Sequence, residues 1–311
     1  MWGTLLPMRL TVIIPAFNER ESIGEVLARL PKNLPGGIGV EPLVIDDGST
    51  DGTGARASLA GAQVMRHSKR RGLAAAFRTG LGAAIVNRAD LIATLDADGQ
   101  YRPEELPLLY AALREAGADL VVGDRQVSKC NHMPAGNRLG NIVGSAMLRL
   151  LAAVPVRDAS SGFRMFTARC ARALRITSRH TYTHEMLIQA KAYGFRIVDV
   201  PVTFLPRLHG KSKLVRTLRH HILRSCGTIL RSLFLLRPLR KFLLLALGSS
   251  FLACGAFVWM LFSSPAARTE LLLLALALLL VALQFVVLGV VTDSFAAQRR
   301  LSLEEGDSPR T

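Results

Sequence analysis

Two runs of residues without a charge constrain this chain more than any other feature. Phe242–Phe262 and Leu271–Thr292 hold 21 and 22 residues and not one Asp, Glu, Lys or Arg. At about 1.5 Å of rise per residue, a helix of either length crosses the roughly 30 Å hydrocarbon core of a bilayer. A buried helix of a water-soluble domain rarely runs that far without a charge, so both read as transmembrane helices. Only Ser263–Glu270 separates them, which forces an antiparallel hairpin with both flanks on one side. Arg237, Arg240 and Lys241 precede the first span and Arg299 and Arg300 follow the second, while the linker sets Arg268 against Glu270. The positive-inside rule then puts both termini in the cytoplasm. The apolar N-terminal stretch is interrupted by Pro7 and Arg9 and runs into strand-like sequence. It does not read as a signal peptide, so the soluble part is expected to stay on the side of synthesis.

The net charge of +16 is concentrated next to that hairpin, with ten Lys or Arg residues and no acid between Pro201 and Lys241. Such a stretch elsewhere would suggest nucleic acid, but beside two membrane spans it predicts anionic lipid headgroups as the partner. On a helical wheel Lys213, Arg216, Arg219, His220, Arg224 and Arg231 share one side, opposite Leu214, Val215, Leu218, Ile222, Ile229, Leu233 and Leu236. This pattern predicts an amphipathic helix in the membrane surface over 213–241. The four cysteines (Cys130, Cys170, Cys226, Cys254) have no C-x-x-C spacing and read as reduced packing residues.

The first 212 residues alternate strand-like and helix-like runs, which predicts an α/β domain with a mainly parallel sheet. Polar clusters fall at the carboxyl ends of the predicted strands: Pro15–Glu19, Asp46–Asp51, Asp96–Gln100 and Asp124–Arg125. Ligands of open α/β sheets bind at those ends. Within LIATLDADGQ (Leu91–Gln100), alternation along the strand is expected to aim Asp96 and Asp98 the same way. Two carboxylates with the amide oxygen of Gln100 suit Mg²⁺ or Mn²⁺, which keep water and phosphate as their other ligands. An Asp-rich turn capping the helix near Pro103 is the plainer alternative.

The strings VIIPAFNE (Val12–Glu19), VIDDGSTDGT (Val44–Thr53), RGLAAAFRTGL (Arg71–Leu81), DADGQ (Asp96–Gln100), GDR (Gly123–Arg125), SSGFRMF (Ser160–Phe166) and PRLHGKSKL (Pro206–Leu214) occur in one order. In that order the chain resembles glycosyltransferase family 2, and within it the polyprenyl-phosphate sugar transferases. The resemblance covers roughly residues 8–215 and implies a GT-A catalytic domain over 1–212. The interface helix 213–241, the transmembrane hairpin 242–292 and a polar tail 293–311 would follow. It further implies that Pro15, Phe17, Glu19, Asp46 or Asp47, Gly72 and Asp96 hold a nucleotide sugar, Phe17 standing where the family more often has Tyr. Asp96, Asp98 and Gln100 would hold the divalent metal, which two phosphates beside two carboxylates require. Arg125, Arg138, Arg207 and Lys211 match positions that hold the acceptor phosphate, with Asp98, Arg125 and Arg207 closest to the chemistry.

These expectations describe an inverting hexosyl transfer from a GDP- or UDP-linked sugar to a polyprenyl phosphate at the cytoplasmic membrane face. A phosphate acceptor is already ionised and needs no general base. A hydroxyl-bearing lipid acceptor would need one, and Asp158 and Glu185 are the candidates, with His184 read as a structural or acceptor-loop residue. Arg164 is expected to shape the acceptor side or to pair with an acid. A processive polysaccharide synthase is disfavoured, because no Q-x-x-R-W string occurs and neither Trp2 nor Trp259 follows Arg. A non-catalytic lipid-phosphate-binding protein of the same fold is an alternative that the retained carboxylates argue against. The sequence leaves a homo-oligomer open.

Overall fold

The computed structural model describes residues 8–178, 181–207 and 238–306. The chain divides into two compact units, Met1–Leu233 and Phe234–Thr311.

In the first unit β1 (Arg9–Ala16) leads to α1 (Arg20–Ala28), and a short β2 (Asn33–Leu34) pairs antiparallel with β3 (Ile38–Asp46). Then come α2 (Thr53–Leu59), β4 (Gln63–Arg66), α3 (Leu73–Val86), β5 (Leu91–Thr94) and α4 (Leu106–Glu115). The rest is β6 (Leu120–Asp124), α5 (Ala135–Ala152), β7 (Arg164–Thr167), α6 (Ala168–Ala173), α7 (Thr183–Ala192) and β8 (Ile197–Pro201). The eight strands run β2-β3-β1-β5-β7-β6-β8, with β4 on β3. β1, β3, β4 and β5 are parallel, as expected, and β8 is parallel to β6. β7 is inserted antiparallel to both β5 and β6.

Apolar residues of β1 explain why it sits at the centre. Leu10, Val12 and Ile14 face one side, where Ile23 and Leu27 of α1 and Leu106 and Leu109 of α4 close over them. Ile13 faces the other side, where α3 approaches so closely that a Cβ on Gly80 would lie 2.4 Å from its Cγ2. Each fully buried Leu or Ile contributes about 1.5–3 kcal/mol, and Gly80→Val would force α3 off the sheet. Helices on both faces leave the strand ends as the exposed polar edge.

The second unit is a pair of helices, α8 (Pro238–Leu261) and α9 (Pro265–Gly306). Leu239–Leu261 and Pro265–Phe295 are long and apolar enough to cross a membrane. The helices are antiparallel: Phe242 meets Phe285 at 6.3 Å between rings, and the Ser249 hydroxyl donates to the Leu278 carbonyl at 2.7 Å. Small residues line the seam, with Ala246, Ser249, Ala253, Ala275 and Ala282 buried while Leu247, Phe251 and Phe262 face outward. Small residues at the seam and large apolar ones outside is the packing of helices in lipid. The turn is tighter than the expected 263–270 linker, because Pro265 opens α9 at a position where its missing N–H costs nothing. The helix also continues through 293–306, where a polar tail was expected. The interface helix expected over 213–241 lies outside the described residues up to 237.

Candidate active site

Four segments at the carboxyl ends of β1, β3, β5 and β6 build the site. The first two are laced together by hydrogen bonds. Asn18, at a left-handed φ of 53°, donates its N–H to Ser49 Oγ at 2.9 Å, and its Oδ1 accepts from the Thr50 N–H at 2.9 Å. The Glu19 N–H donates to Thr53 Oγ1 at 2.9 Å. This lacing explains why the PAFNE string and the Ser/Thr-rich turn occur together: each supplies the other's backbone partners. It fixes Glu19 at the head of α1 and Phe17 beside the loop after β4, where the Arg70 guanidinium lies 4.3 Å over the Phe17 ring. Pro15, on β1 opposite Ile45, begins the turn.

Asp46 and Asp47 divide their work. Asp46 is buried in the turn, its Oδ1 accepting from the Ser49 N–H at 2.8 Å, with Gly54 so near that a Cβ would lie 2.6 Å from Oδ2. It shapes the turn. Asp47 accepts from the Arg71 N–H at 2.8 Å and the Gly72 N–H at 2.7 Å. Gly72, at φ 93°, opens α3 in a conformation that favours glycine.

Asp96 and Asp98 lie together, though not by strand alternation. β5 stops at Thr94, and the pair occupies the turn that follows, which Gly99 completes at φ 73°. The backbone of Gly162 is the floor under Asp96, since a Cβ there would stand 2.7 Å from Oδ2. Tyr101 Oη accepts from the Gly162 N–H at 3.0 Å and holds that floor in place. Burial first, and then the charge of Asp98, raise the Asp96 carboxyl to about 7. Burial raises Asp98 as well, against the pull of Arg207. Two carboxylates so placed are short of positive charge.

Arg207 supplies part of it. Its Nη1 donates to Glu19 Oε1 at 3.2 Å and its Nη2 to Asp98. The segment that carries it is tied to the metal-candidate turn: the Leu205 N–H donates to the Gln100 carbonyl at 2.7 Å and Gln100 Nε2 to the Leu205 carbonyl at 3.1 Å. Gln100 is thus a tether for Arg207, and only its Oε1 is left to face a cation. Arg207, expected at the acceptor phosphate, here joins the two donor-side carboxylates. Lys211 lies outside the described residues.

Arg125 is gripped by Asp158, with Nε and Nη2 donating at 2.5 and 2.8 Å, and Nη2 also reaches Ser160 Oγ at 2.9 Å. Burial pushes the Asp158 carboxyl up, but the hydrogen bond and charge of Arg125 outweigh it and hold the group below its usual range. Ser160 Oγ donates to Asn141 Oδ1 at 2.7 Å on α5. Arg138 is one helical turn before Asn141 and on the same face of α5. Glu185 accepts from the Thr177 N–H and hydroxyl, the Ser178 N–H and Gln189 Nε2. Both base candidates therefore serve neighbouring groups. Arg164, expected to shape the acceptor side or to pair with an acid, is fully buried and donates to the carbonyls of Ser161, Thr183 and Ala159 at 2.7–2.9 Å. It pins the 159–163 loop. No local pattern in the sequence signals Tyr101, which holds the Gly162 floor, or Phe204, whose ring lies 5.1 Å from the Arg125 guanidinium.

Known proteins share this fold. Glucosyl-3-phosphoglycerate synthase from Mycobacterium tuberculosis, solved with Mn²⁺, uridine diphosphate and glucosyl-3-phosphoglycerate, superposes with a TM-score of 0.54 at 23% identity, covering 73% of this chain and 79% of that one. The first unit therefore has the GT-A fold. An undecaprenyl-phosphate mannosyltransferase of Micrococcus luteus is 33% identical over 218 residues, 67% of this chain and 88% of the relative. A polyprenol monophosphomannose synthase of Mycolicibacterium smegmatis is 33% identical over 225 residues, 68% of this chain and 83% of the relative. Residues 11–175 match Glycosyl transferase family 2, and the chain belongs to that family. It is a glycosyltransferase.

Proposed function

We propose that this enzyme transfers a hexose from a GDP- or UDP-linked donor to a polyprenyl phosphate, with inversion at the anomeric carbon, at the cytoplasmic face of a membrane. The relatives named for undecaprenyl and polyprenol phosphate support the acceptor. The single observation that favours a phosphate over a hydroxyl acceptor is the commitment of both base candidates. Asp158 is ion-paired to Arg125, and Glu185 holds the Thr177–Ser178 loop. A phosphate monoester carries its own nucleophilic oxygen and needs neither.

The residues present fit a divalent ion. Asp96 and Asp98 are adjacent hard-oxygen donors with raised pKa values, and Gln100 Oε1 is a third oxygen. No cluster of three or more His, Cys, Asp or Glu side chains is placed to hold a metal among the described residues. Donor phosphates and water would complete the shell of Mg²⁺ or Mn²⁺. When bound, the ion supplies Lewis-acid stabilisation of the departing nucleoside diphosphate.

The chain's own residues do the rest. Phe17, Glu19, Asp47 and Gly72 form the wall that receives the nucleoside, Glu19 offering acceptors for ribose hydroxyls. Arg125 and Arg138 orient the acceptor phosphate, and Arg207, already joined to Asp98, stands between donor and acceptor. An acceptor oxygen attacks the anomeric carbon from the face opposite the diphosphate, the carbon–oxygen bond to the diphosphate breaks, and the nucleoside diphosphate leaves. The hairpin confines the enzyme to the membrane where such an acceptor resides, which raises its effective concentration.

The test is a choice of acceptor. The full chain in detergent micelles, given Mn²⁺ and labelled nucleotide sugar, is expected to glycosylate polyprenyl phosphate and to leave polyprenol untouched. Transfer to polyprenol at a comparable rate would replace this reading with the hydroxyl-acceptor one.

A further inference from the structure

His67 follows β4, away from every motif that points to the chemistry, yet it is 7% exposed and placed directly behind the donor wall. Its Nδ1 lies 2.7 Å from Asp47 Oδ1 and its Nε2 lies 2.9 Å from Thr79 Oγ1 on α3. A carboxylate only accepts, so Nδ1 carries the proton and donates to Asp47. Nε2 shares the second bond with the Thr79 hydroxyl. The ring is fixed from both ends, and it fixes Asp47.

Asp47 in turn holds the N–H groups of Arg71 and Gly72. That turn is pressed onto the loop after β3: a Cβ on Gly48 would stand 2.7 Å from the Lys69 carbonyl carbon. It also meets Phe17, covered by Arg70 at 4.3 Å. The chain of contacts runs from Thr79 through His67 and Asp47 to the 70–72 turn and so to the aromatic that would face the nucleoside. We infer that His67 is a positioning residue of the donor site, which sets the orientation of Asp47 and, through it, the wall against the nucleotide.

This inference rests on the reading of that wall as a nucleotide site. Asn places its side-chain N–H₂ near the position of Nδ1, whereas Gln places its own near Nε2. H67N keeps the bond to Asp47, and H67Q keeps only the contact with Thr79. Binding of GDP and of UDP, each with Mn²⁺, is measured by calorimetry on the full chain in micelles, alongside kcat and KM for donor and acceptor. H67Q is expected to weaken the nucleotide that binds the wild type about tenfold and to raise donor KM to match, while kcat at saturating donor and acceptor KM hold. H67N stays within about threefold of the wild type. T79V, which leaves the imidazole in place and releases its far side, loses an intermediate amount and stands in for H67Q if that variant does not fold. Equal nucleotide affinity in H67Q, T79V and wild type overturns the role of His67 alone. So does a loss shared equally by H67N and H67Q. If neither nucleotide binds the wild type, the donor-site reading itself falls.

Discussion

Removing the negative charge of Asp158 tests the assignment of that residue as the holder of Arg125. In D158N the shape is kept and the charge is lost. The pair has side-chain exposures of 10% for Arg125 and 1% for Asp158, with two hydrogen bonds at 2.5 and 2.8 Å between them. Removing one partner of a buried ion pair costs about 3–5 kcal/mol, because the other charge is stranded. Asparagine still offers one acceptor oxygen, so the lower end, about 3 kcal/mol, applies. At roughly 2–4 °C per kcal/mol for a unit of this size, the midpoint of thermal unfolding should fall by about 6–12 °C. The pH dependence has a definite sign. The folded carboxyl lies below its ordinary value of 3.8, so its contribution is fully present above about pH 4 and is lost as pH falls through the folded value. The gap between wild type and D158N should be flat from pH 5 to 8 and close only in strong acid. The assay is near-ultraviolet circular dichroism against temperature in micelles. A midpoint shift of a degree or two, with transfer abolished, would refute the argument and make Asp158 a general base.

Three further outcomes follow from the same contacts. D98N should lower transfer by about 10²–10³-fold, the scale of a lost transition-state electrostatic contact, and Mn²⁺ binding measured by electron paramagnetic resonance should weaken while the protein stays folded. E185Q sets an N–H₂ against donors from Thr177 and Ser178, so it should cost about 1–3 kcal/mol of stability and leave kcat near normal. Full stability with lost turnover would mark Glu185 as a catalyst. G289L forces a side chain into Phe242, whose Cβ would stand 2.9 Å from the new Cβ. Overpacking of this kind costs about 1–3 kcal/mol, seen as faster hydrogen exchange along α8, and unchanged exchange would argue against the described seam.

The parallel half of the sheet was legible because β1, β3 and β5 are apolar runs that stop at polar clusters. The hairpin was legible because 21 and 22 uncharged residues admit few other fates. What the sequence concealed depends on distant partners. β7 follows SSGF, and nothing local says that Arg164–Thr167 will insert antiparallel between β5 and β6. The carboxylates of the D-x-D string were found for a reason that does not hold, since a turn and not strand alternation gathers them. Asp46 and Asp47 look equivalent as letters, and only the fold gives one to the Ser49 turn and the other to the 71–72 backbone. Arg207 could be read as a phosphate ligand from its motif, but its pairing with Glu19 spans 188 residues and had no local signature.

The central claim is that the new glycosidic bond is made to a phosphate oxygen. Phosphorus-31 magnetic resonance of the full chain with Mn²⁺, a nucleotide sugar and a short-chain polyprenyl phosphate reads that bond directly. The monoester signal of the lipid should give way to a phosphodiester carrying one hexose, of anomeric configuration opposite to the donor's, as nucleoside diphosphate accumulates in equal amount. A monoester signal that persists while nucleoside diphosphate is released and sugar appears elsewhere would contradict the claim.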